Sequence, residues 1–447
     1  MSTSTEPYTI TEYGGFIRAG VPLAGYTPLP GHTFDALEAF ILANHSESDT
    51  EAVELLSLSV RRGIGKIITA RNYVGLITMK DGTVVEILPK IHGSNVADTK
   101  SIFLEMLRSL KDISFKEFNS SNLKTDRLNL FEIFIFMFTN EAAALVKQGL
   151  KSAYNSVEAN ERFFKGKLNV SQNIKHNYVR RDRFFTRYDE WSINRPENRL
   201  LKATLIFLQK QSGDDCNRLH LSRLMSFFEG VDASTDYEAD FSQCTASRGM
   251  SHYEKALSWC RVFLRGNSFT AFVGSEVAVA LLFPMEKIFE SFVAAKFRRY
   301  LPKNVELRTQ DTRYSLFDRP TKAFRLRPDI VLIDGDKSTV MDTKWKLLSE
   351  NVHNYGISQS DMYQMYAYSK KYHAEKIVLL YPQPDNFCNT VISFQSDDEV
   401  SVDVAFIDLL QPDASVQALI NVVNSSYTEQ RKTYLHNEIT FTKYISL

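Results

Sequence analysis

Cysteine is scarce and scattered in this chain of 447 residues: Cys216, Cys244, Cys260 and Cys388, with no Cys-x-x-Cys pair. Such spacing argues against a zinc site and against a disulfide framework, and it fits the reducing cytoplasm. The four read as plain thiols, behaving as small hydrophobes. Long apolar runs are missing too. A membrane-spanning helix needs about 18 or more apolar residues in succession, and the best runs, residues 130–138 and 277–283, have the length of core elements. The opening Met1-Ser-Thr-Ser-Thr-Glu-Pro7 has neither the basic nor the apolar block of a signal peptide. A cytoplasmic protein with no membrane partner is expected.

An excess of either charge is absent as well: 53 Lys and Arg stand against 53 Asp and Glu. Without a global positive field, a protein that works on DNA needs another subunit to supply much of the grip. A phosphate loop is also lacking. Arg61-Arg-Gly63-Ile-Gly65-Lys66-Ile67 has no first glycine at the required spacing and no Ser or Thr after the lysine. The chain is not expected to hydrolyse GTP itself.

What is present is an ordinary globular composition, 44% hydrophobic and 24% charged, on a chain long enough for about two or three domains. Residues 64–70, 74–79 and 83–88 are short β-branched runs, the last two joined by a Lys80-Asp81-Gly82 turn. Polar residues 112–126 form the best linker candidate. Apolar spacing at i, i+3 and i+4 then predicts helices over 128–146, 194–211 and 219–229. Within this largely helical middle, residues 175–188 (KHNYVRRDRFFTRY) mix basic and aromatic side chains. Such a mixture suits a phosphate backbone with stacked bases; the plainer and preferred reading is a solvated helix or loop with anchoring aromatics. From about residue 269 the pattern is α/β, with helices over 284–300 and 360–372 and strands over 305–309, 329–332, 339–344 and 376–381.

The chemistry concentrates between Arg327-Pro-Asp329 and Asp342-Thr-Lys344. Two apolar strands flank Asp334-Gly335-Asp336-Lys337, a hairpin by ordinary turn chemistry. Two-residue loops at Asp334-Gly335 or Gly335-Asp336, or a four-residue loop over 334–337, all leave Asp329, Asp342 and Lys344 on one sheet face. The last two choices set Asp329 directly opposite Asp342, the first shifts the pairing by two, and a three-residue loop breaks the arrangement. Carboxylates roughly 5 Å apart across a strand pair repel each other. A hard divalent cation removes that penalty, and Mg²⁺ favours one or two carboxylates plus water and phosphate oxygens. Lys344 reaches the same place, to orient an attacking water or stabilise charge on the phosphate. The plainer reading makes the aspartates strand-end charges with Lys344 as their ion-pair partner.

Two neighbours bear on this choice. The helix over 284–300 places Met285, Ile288, Phe289, Phe292 and Val293 on an apolar stripe with Glu290 at its edge, either a further metal ligand or a solvated flank. Gln364 and Tyr368 share a face of the downstream helix, where Gln364 is a candidate to hydrogen-bond a ligand or phosphate. Tyr363, Tyr366 and Tyr372 add aromatic surface, which packing alone also explains.

In this order the pieces resemble the PD-(D/E)xK nuclease superfamily, and the whole chain resembles the McrC family of McrBC-type restriction systems. The matching segments are Phe283-Pro-Met-Glu-Lys-Ile-Phe-Glu290, Arg327-Pro-Asp329-Ile, Met341-Asp342-Thr-Lys344-Trp-Lys and Asp361-Met-Tyr-Gln364-Met-Tyr-Ala-Tyr368. Phe164-Lys-Gly166-Lys-Leu168, Asn194-Arg-Pro-Glu-Asn198-Arg199-Leu200, Thr11-Glu-Tyr-Gly14 and Ala70-Arg-Asn-Tyr-Val-Gly75 with Glu86-Ile-Leu-Pro-Lys90 extend the likeness over nearly the full chain. The resemblance implies a multidomain α+β protein. Residues 1–120 would form a β-rich N-terminal domain, 121–265 a mostly helical partner-docking region, and 266–447 a C-terminal α/β restriction-endonuclease-like domain. It implies a Mg²⁺-dependent DNA endonuclease, Mn²⁺ being a possible substitute. Asp329, Asp342 and Lys344 would be catalytic, with Glu290 and Gln364 beside them and Asp329, Asp342 and Glu290 toward the metal. The implied partners are a McrB-like AAA+ GTPase hexamer, stimulated by this chain, and modified double-stranded DNA. Residues 145–167 are the candidate finger for the partner's channel. The alternatives are a stand-alone RecB-like DNA repair nuclease and a non-catalytic regulatory subunit.

Overall fold

The computed structural model describes residues 7–19, 23–43, 56–91, 95–109, 129–244, 251–264, 277–384 and 391–421. The proposed linker at 112–126 and Cys388 lie outside the described residues.

The N-terminal part contains β1 (Tyr8–Thr11), β2 (Gly15–Arg18), β3 (Tyr26–Leu29), α1 (Gly31–Ala43), β4 (Leu56–Arg61), β5 (Gly65–Ala70), β6 (Tyr73–Met79), β7 (Val84–Leu88) and α2 (Val96–Leu107). The three expected strands are found as β5, β6 and β7, each within a residue of its expected start. The two helices were not expected. Helix α1 buries Phe34, Leu37, Phe40 and Ile41 on one face, and α2 starts where the Asn95 side chain accepts from the Asp98 amide at 2.8 Å. The glycine-bearing stretch near Lys66 is the turn between β4 and β5, with Arg61 opposite Gly65.

The middle contains α3 (Leu130–Gln148), β8 (Ala153–Glu161), β9 (Lys167–Leu168), α4 (Val170–Asn177), β10 (Phe184–Ser192), α5 (Pro196–Gln211), α6 (Asp215–Met225), α7 (Tyr237–Gln243) and α8 (Ser251–Leu264). The α3 stripe packs on α8, with Phe134 and Phe138 against Trp259 and Phe263 at ring separations of 5.9 Å. Helices predominate in this part, but strands interrupt them. A three-stranded sheet, β8-β10-β9, stands among the helices. The basic segment 175–188 is neither wholly helix nor loop, since it ends α4 and then enters β10. Cross-strand pairing of β10 with β8, from Phe184↔Glu161 to Ser192↔Ala153, outweighs the polarity that hid this strand. The helix expected over 219–229 starts earlier, at Asp215, capped by Asp214 on the Asn217 amide at 2.8 Å. It gives way to a 3₁₀ turn at Ser226–Phe228.

The last part contains β11 (Val277–Pro284), α9 (Met285–Tyr300), β12 (Glu306–Thr309), β13 (Ser315–Phe317), β14 (Ala323–Arg325), β15 (Ile330–Asp334), β16 (Lys337–Thr343), α10 (Gln359–Tyr372), β17 (Lys376–Pro382), β18 (Val391–Gln395) and β19 (Ser401–Ile407). Strand β11 does not join its sequence neighbours. It completes a sheet of order β1-β7-β6-β11 by antiparallel pairing with β6. Gly75 permits the close approach: its φ is +138°, and a Cβ there would lie 1.9 Å from the Leu281 carbonyl oxygen. Helix α9 therefore starts from the N-terminal sheet, with the Met285 amide donating to Asn72 O at 3.0 Å.

The remaining long strands form a six-stranded mixed sheet of order β12-β15-β16-β17-β19-β18. One face, with Val331, Val340, Leu379 and Val404, packs under Met365, Tyr368 and Tyr372 of α10. The other face, with Ile330, Met341, Val378 and Leu380, joins the core holding Ile288, Phe289 and Phe292 of α9. A central strand covered on both faces loses its polar alternation, which is why β16 carries buried residues from Thr339 through Thr343.

Candidate active site

The β15–β16 register follows one of the loop choices that set the two aspartates opposite each other. Asp334 pairs with Lys337 and Ile330 with Met341, leaving Gly335-Asp336 as the turn. Gly335 takes φ +62°, as the first central residue of a II′ turn does. One step beyond Ile330↔Met341, Asp329 and Asp342 stand in register. Both share parity with Val331 and Val340, so with Lys344 they belong to the face beneath α10. Lys344 leaves the strand end with its amide on Leu380 O at 2.8 Å.

Asp342 is 3% exposed. Its Oδ2 lies 2.8 Å from Lys344 Nζ. Burial, and then the charge of Asp329, push its carboxyl up to about 6. Asp329 is also raised by burial, against hydrogen bonds from Thr343 and the charge of Lys344 that hold it down. Its Oδ2 accepts from the Thr343 amide at 2.8 Å and the Thr343 hydroxyl at 2.7 Å. Burial alone would lower the Lys344 ammonium, but Asp342, Asp361 and Asp329 outweigh it and hold the cation above its ordinary value.

Glu290 is not a solvated flank. Gln310, at the end of β12, donates through Nε2 to Glu290 and to Asp329 Oδ1, the latter at 2.9 Å. Burial and the charge of Asp329 push the Glu290 carboxyl up to about 7. Gln364 lines the cleft and is also engaged within the fold. It accepts from Lys344 Nζ at 3.2 Å and donates to Tyr368 Oη at 2.8 Å, so it orients the lysine. Asp361, 3.4 Å from Lys344 Nζ, completes that lysine's surroundings. Gln310, Thr343 and Asp361 were not singled out from the sequence. Only Asp361 had a signal, three residues before Gln364 on the same helix face. Tyr363 and Tyr366 are 65% and 43% exposed while Tyr372 is buried, so only the last is core.

These groups open into a cleft of about 800 Å³. Its lining includes Glu12, Tyr13 and Lys90 of the N-terminal part together with Glu286, Lys287 and Arg327. The Trp345 indole, packed on Phe289 at 5.4 Å, donates to Glu12 Oε1 and Oε2. Burial pushes the Glu12 carboxyl up to about 7, against hydrogen bonds from Lys90 and Trp345.

Mutually raised carboxyls held beside a lysine suit a divalent cation, which would relieve their repulsion. Among the described residues no group of three or more His, Cys, Asp or Glu side chains is arranged to hold a metal ion. A cation at the two aspartates would therefore need water and phosphate oxygens to complete its shell. Of the sequence candidates, Asp329, Asp342, Lys344, Glu290 and Gln364 all meet here. No helix among the described residues is long and apolar enough to cross a membrane.

Fold and cleft together define a multi-sheet α+β protein with a buried carboxylate–lysine cluster at the end of a mixed sheet. The family model of McrBC 5-methylcytosine restriction system components matches residues 68–382. The chain belongs to that family. Its fold is similar to a chain of the refined half-complex from the tetradecameric assembly of Thermococcus gammatolerans McrB AAA+ hexamers with bound McrC. That match has 21% identity and a TM-score of 0.67, over 94% of this chain and 100% of the other. A chain of the Thermococcus gammatolerans McrBC complex matches with 20% identity and a TM-score of 0.48, over 67% of this chain and 89% of the other. No curated protein matches the chain.

Proposed function

We propose that this chain is the Mg²⁺-dependent DNA-cleaving subunit of a GTP-dependent McrBC-type restriction complex, its C-terminal part having the PD-(D/E)xK architecture. The observation that carries the reading is the meeting of Asp329, Asp342 and Lys344 of the β15–β16 hairpin with Glu290 of α9 in one open cleft. Asp329 and Asp342, with Glu290 behind them, would hold the cation, which when bound supplies Lewis acidity and charge neutralisation at the scissile phosphate.

The chain's own residues do the rest. Asp342, Asp361 and Gln364 keep Lys344 protonated and aimed at the cleft, where it offers hydrogen bonds to a phosphate oxygen or an attacking water. Thr343 and Gln310 fix the Asp329 carboxylate, and Gln310 also separates it from Glu290. The cleft walls carry Lys90, Lys287 and Arg327, which suit a phosphodiester backbone.

The partner would be a McrB-like AAA+ hexamer, as in the assembly of the similar Thermococcus chain. The β8–β10 appendage is the surface we assign to it. There Phe163, Tyr178 and Val179 are 81%, 80% and 88% exposed, apolar side chains that a partner could cover. The candidate finger at 145–167 runs from the end of α3 through β8 in that appendage. Asp342→Ala should abolish cleavage of modified DNA in the complete complex with GTP and Mg²⁺, while partner binding and GTPase stimulation persist. Residual cutting by the purified variant would remove the site from consideration.

A further inference from the structure

Between β12 and Asp329 the chain makes a detour that the cleft does not need. Strands β13 and β14 pair as a two-stranded hairpin, Ser315 opposite Arg325 and Phe317 opposite Ala323. Its outer surface carries two large aromatics in water: Phe317 is 55% exposed and Phe324 73%, with their rings edge to face at 6.0 Å. Phe324 holds φ +55°, a conformation that a bulky side chain rarely adopts.

The charge around them is one-sided. Residues 313–327 contain Arg313, Arg319, Lys322, Arg325 and Arg327 but only Asp318 of opposite sign, in a chain that is neutral overall. Arg319, Lys322 and Arg325 are all exposed. Asp318 is already matched by Lys371 of α10 at 2.8 Å.

The hairpin is also anchored to the candidate site. Its base is clamped by the Leu326 amide on Tyr314 O at 2.9 Å. Tyr314 packs on Tyr372 at 4.7 Å, and Tyr372 Oη donates to Asp311 O at 3.2 Å. Helix α10, which bears Gln364 and Asp361, thus holds the hairpin as well. From Phe324 to Asp329 the chain runs five residues, a reach of at most about 18 Å, or about five base-pair steps of duplex.

We propose that the β13–β14 hairpin is a double-stranded DNA contact. Phe317 and Phe324 wedge against base pairs in a groove while Arg319, Lys322 and Arg325 take the flanking phosphates, which sets how far from this contact the strand is cut. Exposed aromatics among solvent-exposed cations suit a polyanion with apolar base faces better than an ordinary protein surface. The inference rests on the nuclease reading of the neighbouring cleft.

The test uses the full chain. Binding of a short fluorescent duplex to the chain at low ionic strength is measured on an Asp342→Ala background. Cut positions are mapped in the complex with its AAA+ partner, GTP and Mg²⁺, on the otherwise unaltered chain. F317A/F324A should weaken binding on the order of tenfold and scatter or shift the cut positions. R319A/K322A/R325A should flatten the slope of log affinity against log salt by about two to three. Both should leave GTPase stimulation unchanged. Unaltered affinity, salt slope and cut positions would overturn the proposal, as would a parent chain with no affinity for the duplex. Loss of partner assembly with DNA affinity intact would overturn it in favour of a protein contact. Cleavage persisting in Asp342→Ala alone would instead sink the nuclease reading, and the binding data would still judge the hairpin.

Discussion

Trp345 Nε1 donates to both carboxylate oxygens of Glu12, at 3.0 and 2.9 Å, across 333 positions of sequence. Glu12 is 2% exposed and also accepts from the Lys90 amide at 3.0 Å. The N-terminal part is thereby fastened next to Lys344.

Because Glu12 titrates near 7 when folded and near the ordinary value of 4.5 when unfolded, the sign of its pH effect is set. Below both values the group is neutral in either state and contributes nothing. As pH rises from 4.5 to 7 the unfolded chain ionises first, so native stability falls, by up to about 3 kcal/mol. Glu12→Gln should flatten this decline in urea denaturation between pH 5 and 8. Parallel wild-type and variant curves would show that Glu12 does not carry it.

Lys344→Ala leaves Asp342 buried without its cation. The cost appears only where Asp342 is ionised, above about 6, so the variant should lose about 1–3 kcal/mol at pH 8 and less at pH 5. Cleavage in the complete complex should fall at least about a hundredfold. Equal destabilisation at the two pH values would contradict the ion pair at 2.8 Å.

Gly75→Ala sets a methyl against the Leu281 carbonyl in a backbone conformation that L residues rarely adopt. The β6–β11 pairing must open, and with it the start of α9. We expect a loss of about 3 kcal/mol or more, read by chemical denaturation. A loss below about 1 kcal/mol would mean that the two strands separate freely.

Tyr381, on the same sheet face as Asp342, is fully buried at the cleft and its hydroxyl has no hydrogen-bond partner among the described residues. Removing an unpartnered buried hydroxyl is neutral or stabilising. Tyr381→Phe should therefore melt at or above the wild-type midpoint. Destabilisation by more than about 1 kcal/mol would reveal a partner that the folded chain supplies.

The hairpin of the candidate site was legible because its determinants are local. Turn chemistry at Gly335-Asp336 and alternation along β15 and β16 left few registers, and each of the even loops kept Asp329, Asp342 and Lys344 together. Glu290 and Gln364 were legible as helix-face residues, but their partners were not. Gln310 reaches both Glu290 and Asp329 from the end of a short strand with no pattern of its own. Strand β10 was hidden because Arg187, Asp189 and Glu190 mask its alternation, and its identity comes from β8. The tie between Glu12 and Trp345 had no local signature at all, since only the folded topology brings those positions together.

Strand β11 has a practical consequence for anyone dividing the chain. Cut loose at residue 266, the last part would carry Val277–Pro284 without β6, presenting a largely apolar row of unsatisfied amides and carbonyls. Such a row is a template for pairing with copies of itself. The fragment that looks self-sufficient by its chemistry would then be the one most prone to aggregate, and inclusion bodies rather than idle enzyme would be the outcome of expressing it by itself.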